Sequence, residues 1–254
     1  MIRLEKSENK VAVVYLENPP LNVLTLAGTQ RLISLFSEIE EDDQIRAVII
    51  TGAGEKAFCA GADINEFALV RDQVIEKKLK EENKALLKIE TLSKPVIAAM
   101  DGITLGGGCE IALACDIRIM AENVKIGLPE IKLGVFPGSG GLYRLPKIVG
   151  MSLAMEMMFT GAFLTAKEAY RIGLVNYVTE PMQALPVAKG LATKIAQQPK
   201  ESLAAIKAGV RKALEVTQAE AIQYNLELSD RVFKTPDCEE GIKAFFEKRA
   251  PQFN

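Results

Sequence analysis

Apolar residues recur along this chain with two periods, and the switching between them sketches an α/β fold. Val11-Ala12-Val13-Val14-Tyr15-Leu16 is a β-branched run that predicts a strand, stopped by Asn18-Pro19-Pro20. Thr25 can cap a following helix in which Leu26, Leu32, Ile33, Phe36 and Ile39 recur at helical spacing, up to the acidic stretch 40–43. Uninterrupted apolar runs at 47–51 and 95–100 predict strands buried on both faces. Between them, the lysine- and glutamate-rich stretch 71–92 predicts one long helix with a solvated face and no chemistry. Strand-like 117–120 and 174–178 alternate with helix-like 142–149, 153–159 and 166–172, and from Pro186 onward the pattern is almost wholly helical. Strand followed by helix implies right-handed crossovers, and the carboxy-terminal part reads as a helical appendage.

A length of 254 residues suits one main domain. Basic and acidic side chains number 31 and 33, so no general field would recruit nucleic acid or an anionic membrane, and any anion must be held locally. The amino terminus lacks the apolar stretch of a signal peptide and no run approaches membrane-spanning length, so a cytoplasmic protein is expected. Cys59, Cys109, Cys115 and Cys238 lack metal-like spacing and are expected to be free thiols, with no metal site. Histidine is absent, which removes imidazole acid–base catalysis and both the Ser-His-Asp and Cys-His nucleophile systems. Proton transfer must fall to carboxylates, lysine or tyrosine.

Three segments could carry chemistry. Lys56-Ala57-Phe58-Cys59-Ala60-Gly61-Ala62-Asp63-Ile64 follows a strand and leads into a helix; its small residues let a ligand approach unpaired helix-start amides, although a tight strand-to-helix turn looks the same. Gly106-Gly107-Gly108-Cys109-Glu110 again stands between a strand and an apolar helix, without the spacing of a nucleotide-binding loop. One amide from each segment would make an oxyanion hole, and burial would raise the pKa of Glu110; a carboxylate satisfying the helix dipole is the plainer alternative. Pro129-Glu130 followed by Gly134 and 137–141 places a second lone carboxylate among apolar residues, which could equally be a cap or ion-pair residue.

Together these segments resemble the enoyl-CoA hydratase, or crotonase, family in order, spacing and identity along almost the whole chain. Asn22-Val23-Leu24, Ala60-Gly61-Ala62-Asp63-Ile64, 106–110, Pro129-Glu130, 137–141, 164–169 and Gly173-Leu174-Val175 carry the resemblance. It implies a crotonase-like spiral of repeated ββα units over 1–190, with a helical trimerisation region over 191–254. The amides of Ala62 and Gly107 would form the oxyanion hole, Glu110 and Glu130 would be the catalytic acids, and the Gly138 backbone would help hold water. Lys56, Ala60, Asp63, Ile64, Asn65, Phe245 and Lys248 match coenzyme-A positions. Asn65 stands where relatives often have lysine, and Val23, Phe67 and Phe163 would shape the acyl entrance.

The implied activity is addition of water to a trans-2-enoyl-CoA to give a 3-hydroxyacyl-CoA in acyl-CoA degradation. Coenzyme A would enter with the substrate rather than as a resident cofactor, and the assembly would be a homotrimer or hexamer. A double-bond isomerase, and a hydratase of branched, cyclic or dicarboxylic substrates, are the alternatives within the enzyme class. An RNA-binding homologue, using lysines 77, 78, 80, 84 and 88 as a basic face, is the alternative outside it.

Overall fold

Residues 1–253 are described by a computed structural model, in which the apolar runs become the centre of a two-sheet α/β fold. β1 (Ile2–Lys6) pairs antiparallel with β2 (Val11–Leu16). The cap at Thr25 accepts from the Gly28 amide and opens α1 (Leu26–Glu41), which buries Leu32, Leu35, Phe36 and Ile39. β3 (Ala47–Gly52) then lies parallel to β2.

From here a unit of strand, short strand and helical segment recurs. β4 (Ala57–Cys59) leads to α2 (Ile64–Val70), and after further helical turns to α3 (Lys80–Thr91). β5 (Val96–Met100), β6 (Ile103–Leu105) and α4 (Gly107–Ala114) repeat the pattern. β7 (Ile117–Ala121) and β8 (Lys125–Gly127) repeat it again, ending in a 3-10 turn over Glu130–Leu133. α5 (Gly141–Val149), α6 (Met151–Thr160), β9 (Phe163–Thr165), α7 (Ala166–Arg171) and β10 (Tyr177–Thr179) follow. The last helices are α8 (Ala184–Ala196), α9 (Lys200–Ala213), α10 (Gln218–Phe233) and α11 (Pro236–Glu247). The larger sheet has the order β1-β2-β3-β5-β7-β10 and the smaller β4-β6-β8-β9, so each repeat puts its first strand in one sheet and its second in the other. That is the expected ββα spiral.

Both faces of the larger sheet are covered. Ala12, Val14, Val48, Ile50, Ala98 and Met120 face the core shared with α1, α3 and α4, whereas Val13, Ile49, Ile97 and Ile119 face α8. On α8 the contact is a stripe of Ala184, Ala188, Ala192 and Ala196, small enough to let the helix lie close to the strands. Burial on both faces explains why these strands read as continuous apolar runs.

Three expectations need correction. The stretch 71–92 is not one α-helix: a 3-10 turn (Arg71–Gln73) and a π-helical turn (Ile75–Leu79) precede α3. Nor is its charged face wholly solvated. Lys78 and Glu82 are buried, because 78, 82, 85, 86 and 89 fall on one helical stripe and the structure turns that whole stripe inward. Lys78 therefore cannot belong to an exposed basic face. The strand expected over 174–178 is shorter and later, at β10, with Leu174 and Val175 buried ahead of it. Among the described residues no helix is long and apolar enough to cross a membrane.

Candidate active site

Three close approaches assemble the site. A Cβ on Gly108 would lie 2.0 Å from the Cys59 carbonyl oxygen, so only glycine lets the first turn of α4 sit against β4. Gly106, just before α4, has φ +54° and ψ −126°, a conformation open to glycine and costly for other residues. Its amide donates to the Gly127 carbonyl at 3.0 Å, joining the start of α4 to β8.

This junction brings two unengaged amides together. The Gly107 amide is the first of α4 and has no helical acceptor. The Ala62 amide sits between backbone bonds on either side: Leu24 N–H donates to the Gly61 carbonyl at 2.8 Å, and Asp63 N–H donates to the Leu24 carbonyl at 3.0 Å. Among the described residues neither Ala62 N–H nor Gly107 N–H donates to the chain. They are close neighbours, since a Cβ on Gly107 would lie 3.4 Å from the Ala62 nitrogen. Two free N–H groups at one point can hold an oxyanion.

Glu110 lies one turn further along α4 and is almost fully buried. Its Oε1 accepts from the amides of Ser139 and Gly141, each at 2.9 Å, which leaves Oε2 for other chemistry. Burial pushes its pKa up to about 7; the nearby Glu130 and Glu82 charges add to the rise, and the Gly141 and Ser139 amides oppose it. Glu130 opens the 3-10 turn after β8. Its Oε1 lies 3.3 Å from where a Cβ on Gly106 would be, and its Oε2 is buried without a hydrogen-bond partner among the described residues. Burial pushes its pKa up to about 7 as well. Hydrogen bonds from the Gly141 and Ser139 amides favour the charged form of Glu110, and at Glu130 the residue's own amide does so.

The remaining expected residues divide into two groups. Lys56, Ala60, Asp63, Ile64 and Asn65 flank Ala62 along the edge of β4 and the start of α2. Asp63 caps α2 and accepts from both the backbone and the side-chain amide of Asn65, at 2.9 and 3.1 Å, so Asn65 is turned back onto its neighbour. Ile64 is 60% exposed. Phe245 and Lys248 lie at the end of α11, where Phe245 is 78% exposed and packs edge-on against Phe246. Among the described residues no hydrogen bond, ion pair or ring contact joins them to the first group.

Gly138 lies in the loop between Glu130 and α5, its carbonyl accepting from Asn83 Nδ2 at 2.9 Å and its α-carbon facing Leu79. Two side chains from the stretch 71–92, Glu82 and Asn83, hydrogen-bond to this loop, and Lys78 pairs with Glu82 behind it. The signal was present in the sequence as charged residues at stripe positions 78 and 82, where apolar ones belong.

Comparison with known proteins gives one family throughout. The family profile described as enoyl-CoA hydratase/isomerase matches residues 6–254. The short-chain-enoyl-CoA hydratase of Clostridium acetobutylicum is 42% identical over 247 residues, covering 97% of this chain and 94% of that protein. The crotonyl-CoA hydratase of Syntrophomonas wolfei is 38% identical over 253 residues, covering 99% and 97%. The crystal structure of enoyl-CoA hydratase from Bacillus anthracis superposes with a TM-score of 0.95 at 36% identity, covering 99% of this chain and 98% of the other.

Proposed function

Because the chain belongs to the enoyl-CoA hydratase/isomerase family, we propose that it hydrates a trans-2-enoyl-CoA to a 3-hydroxyacyl-CoA. The observation that carries this reading is the pair of unengaged amides, Ala62 and Gly107, with two buried carboxyls of raised pKa beside them. An isomerase needs one proton shuttle, whereas net addition of water uses a base and an acid together.

The thioester carbonyl accepts from the Ala62 and Gly107 amides, which draws electrons from the double bond and makes C3 electrophilic. Glu110, ionised, takes a proton from water on Oε2 as the water oxygen bonds to C3. The π electrons move to form an enolate whose oxygen the two amides stabilise. Glu130, protonated, then gives its proton to C2 as the carbonyl re-forms. Glu110 ends protonated and Glu130 ionised, and return of the proton resets the pair. Both oxygens of this exchange need a dry site, which the burial of Glu110 supplies.

Coenzyme A enters as part of the substrate, along Lys56, Ala60, Asp63, Ile64 and Asn65, with Phe245 and Lys248 completing its site. A homotrimer or dimer of trimers belongs to the same reading, supported by exposed apolar side chains at Leu226, Phe233, Ile242, Phe245 and Phe246 on α10 and α11. Neither nucleic acid nor a membrane is needed as partner, and the cytoplasm is the proposed location.

The test is incubation of the protein with crotonyl-CoA, following loss of the conjugated enoyl-thioester absorbance and product mass. Gain of one water supports the hydratase. Conversion of a 3-enoyl-CoA without a gain in mass, and no hydration of any 2-enoyl-CoA, overturns it in favour of an isomerase.

A further inference from the structure

Behind Glu110 lies a second buried ionic cluster that the hydration steps do not use. Lys78, 1% exposed, sits with Nζ 2.6 Å from Glu66 Oε2 and 3.5 Å from Glu82 Oε1. Glu82, 4% exposed, accepts on Oε2 from the Ser139 hydroxyl at 2.7 Å. The amide of that same Ser139 donates to Glu110 Oε1. Glu66 is fixed in turn, accepting on Oε2 from the Leu26 amide at 2.8 Å.

The loop 137–140 is thus gripped from α3 and α5 at successive points. Glu82 takes the Ser139 hydroxyl, Asn83 donates to the Gly138 carbonyl, and Arg144 donates to the Ser139 carbonyl at 3.1 Å while paired with Glu90. A buried ion pair is a costly way to fasten a loop, because both ions must be desolvated and an apolar contact of the same shape would hold as well. What it does better is fix direction. The Ser139 hydroxyl is held by Glu82 on one side while its amide is aimed at one oxygen of Glu110 on the other.

We propose that Glu82, held by Lys78, is a positioning residue for water addition: through Ser139 it orients the amides that occupy Glu110 Oε1, so that Oε2 faces the water. This role rests on the hydratase reading. The groups facing Glu110 are Glu130 from the 3-10 turn, Glu82 from α3, Tyr143 from α5 and Cys109 beside it on α4; those facing Glu82 are Lys78 from the π-helical turn, Glu66 from α2 and Cys59 from β4. The Glu82 charge raises the pKa of Glu110. Its removal with the acceptor kept should therefore make Glu110 ionise at lower pH.

Two variants separate positioning from mere support. Ser139→Ala removes the hydroxyl but keeps the backbone amide, and should lower kcat on crotonyl-CoA by about 10–100-fold with KM little changed, since misplacing a catalytic group acts on the chemical step. Ser139→Thr restores the hydroxyl and should recover most of that loss. Glu82→Gln keeps an acceptor for the hydroxyl and loses the charge; the acid limb of its kcat/KM profile should move to lower pH. The same shift should appear without turnover, in the 13C titration of the Glu110 carboxyl of labelled protein, assigned with Glu110→Gln. If kcat, the acid limb and the Glu110 titration all match wild type while only the melting temperature falls, the cluster merely supports the loop and the proposal is wrong. Wild type that hydrates no 2-enoyl-CoA and only isomerises a 3-enoyl-CoA sinks the hydratase reading separately; the Glu110 titration still decides whether Glu82 acts on Glu110.

Discussion

Glu110 and Glu130 share a chemistry and a raised pKa, yet the regions that carry them differ. Glu110 is on α4, buried between sheets, and one of its oxygens is fully engaged by two amides. Glu130 is on a 3-10 turn, partly exposed, with an oxygen that nothing in the chain satisfies among the described residues. Desolvation lifts both, and hydrogen bonding opposes the rise in each, from the Gly141 and Ser139 amides at Glu110 and from the residue's own amide at Glu130. One oxygen of Glu110 is held by two amides from another segment while Glu130 keeps an unpartnered oxygen, and such differences in surroundings are how an acid and a base can work side by side near neutral pH.

The sharpest way to break this comparison is to remove each acid in turn. Glu110→Gln and Glu130→Gln should each lower kcat/KM on crotonyl-CoA by about 10²–10⁴-fold, the range for a positioned proton-transfer group. A loss confined to one of them would reduce the pair to a single working acid. Next in size is the pH dependence. The proposed hydration needs Glu110 ionised and Glu130 protonated, so the wild-type kcat/KM profile should be a narrow bell near pH 7, each limb falling about tenfold per unit. In Glu130→Gln the loss at high pH should disappear from the residual activity, leaving only the acid limb. Retention of the alkaline limb would assign it to another group.

Stability should move in the opposite direction to activity. A carboxyl whose folded pKa lies above its ordinary value favours the fold at low pH, and that contribution disappears as pH rises from about 4.5 to about 7. Glu110→Gln should therefore be more stable than wild type at pH 8 by roughly 1–3 kcal/mol, with the difference vanishing below about pH 4.5. Urea unfolding at the two pH values checks this, and a destabilised variant at pH 8 would mean the two amides outweigh burial. The smallest effect is expected at Gly138→Ala. Its new methyl would stand 3.3 Å from Leu79 Cδ2, close enough to push the loop slightly and slow turnover about tenfold without unfolding the protein.

Much of this could be read along the chain. The apolar runs that became β2, β3, β5 and β7, the Thr25 cap, and the glycine-rich turns before α2 and α4 are local features, and local chemistry is enough to place them. The lack of histidine leaves proton transfer to other groups, and Glu110 and Glu130 stand among apolar residues in the sequence itself. The short strands β4, β6, β8 and β9 were not legible, because three residues are too few to show a period and their pairing partners are distant in sequence.

Residue identity and order determined the kind of chemistry: two acids, glycines where backbone must come close, and no imidazole. Tertiary structure alone decided which groups meet. Ala62 reaches Gly107 across 44 intervening positions only because β4 and β6 are neighbours in the smaller sheet and Gly108 leaves room for Cys59. Glu82 reaches Ser139 only because the π-helical turn ahead of α3 and the burial of Lys78 turn a charged stripe inward. Hydrogen bonds and desolvation depend on distances in space, and those are properties of the packed chain rather than of any segment within it.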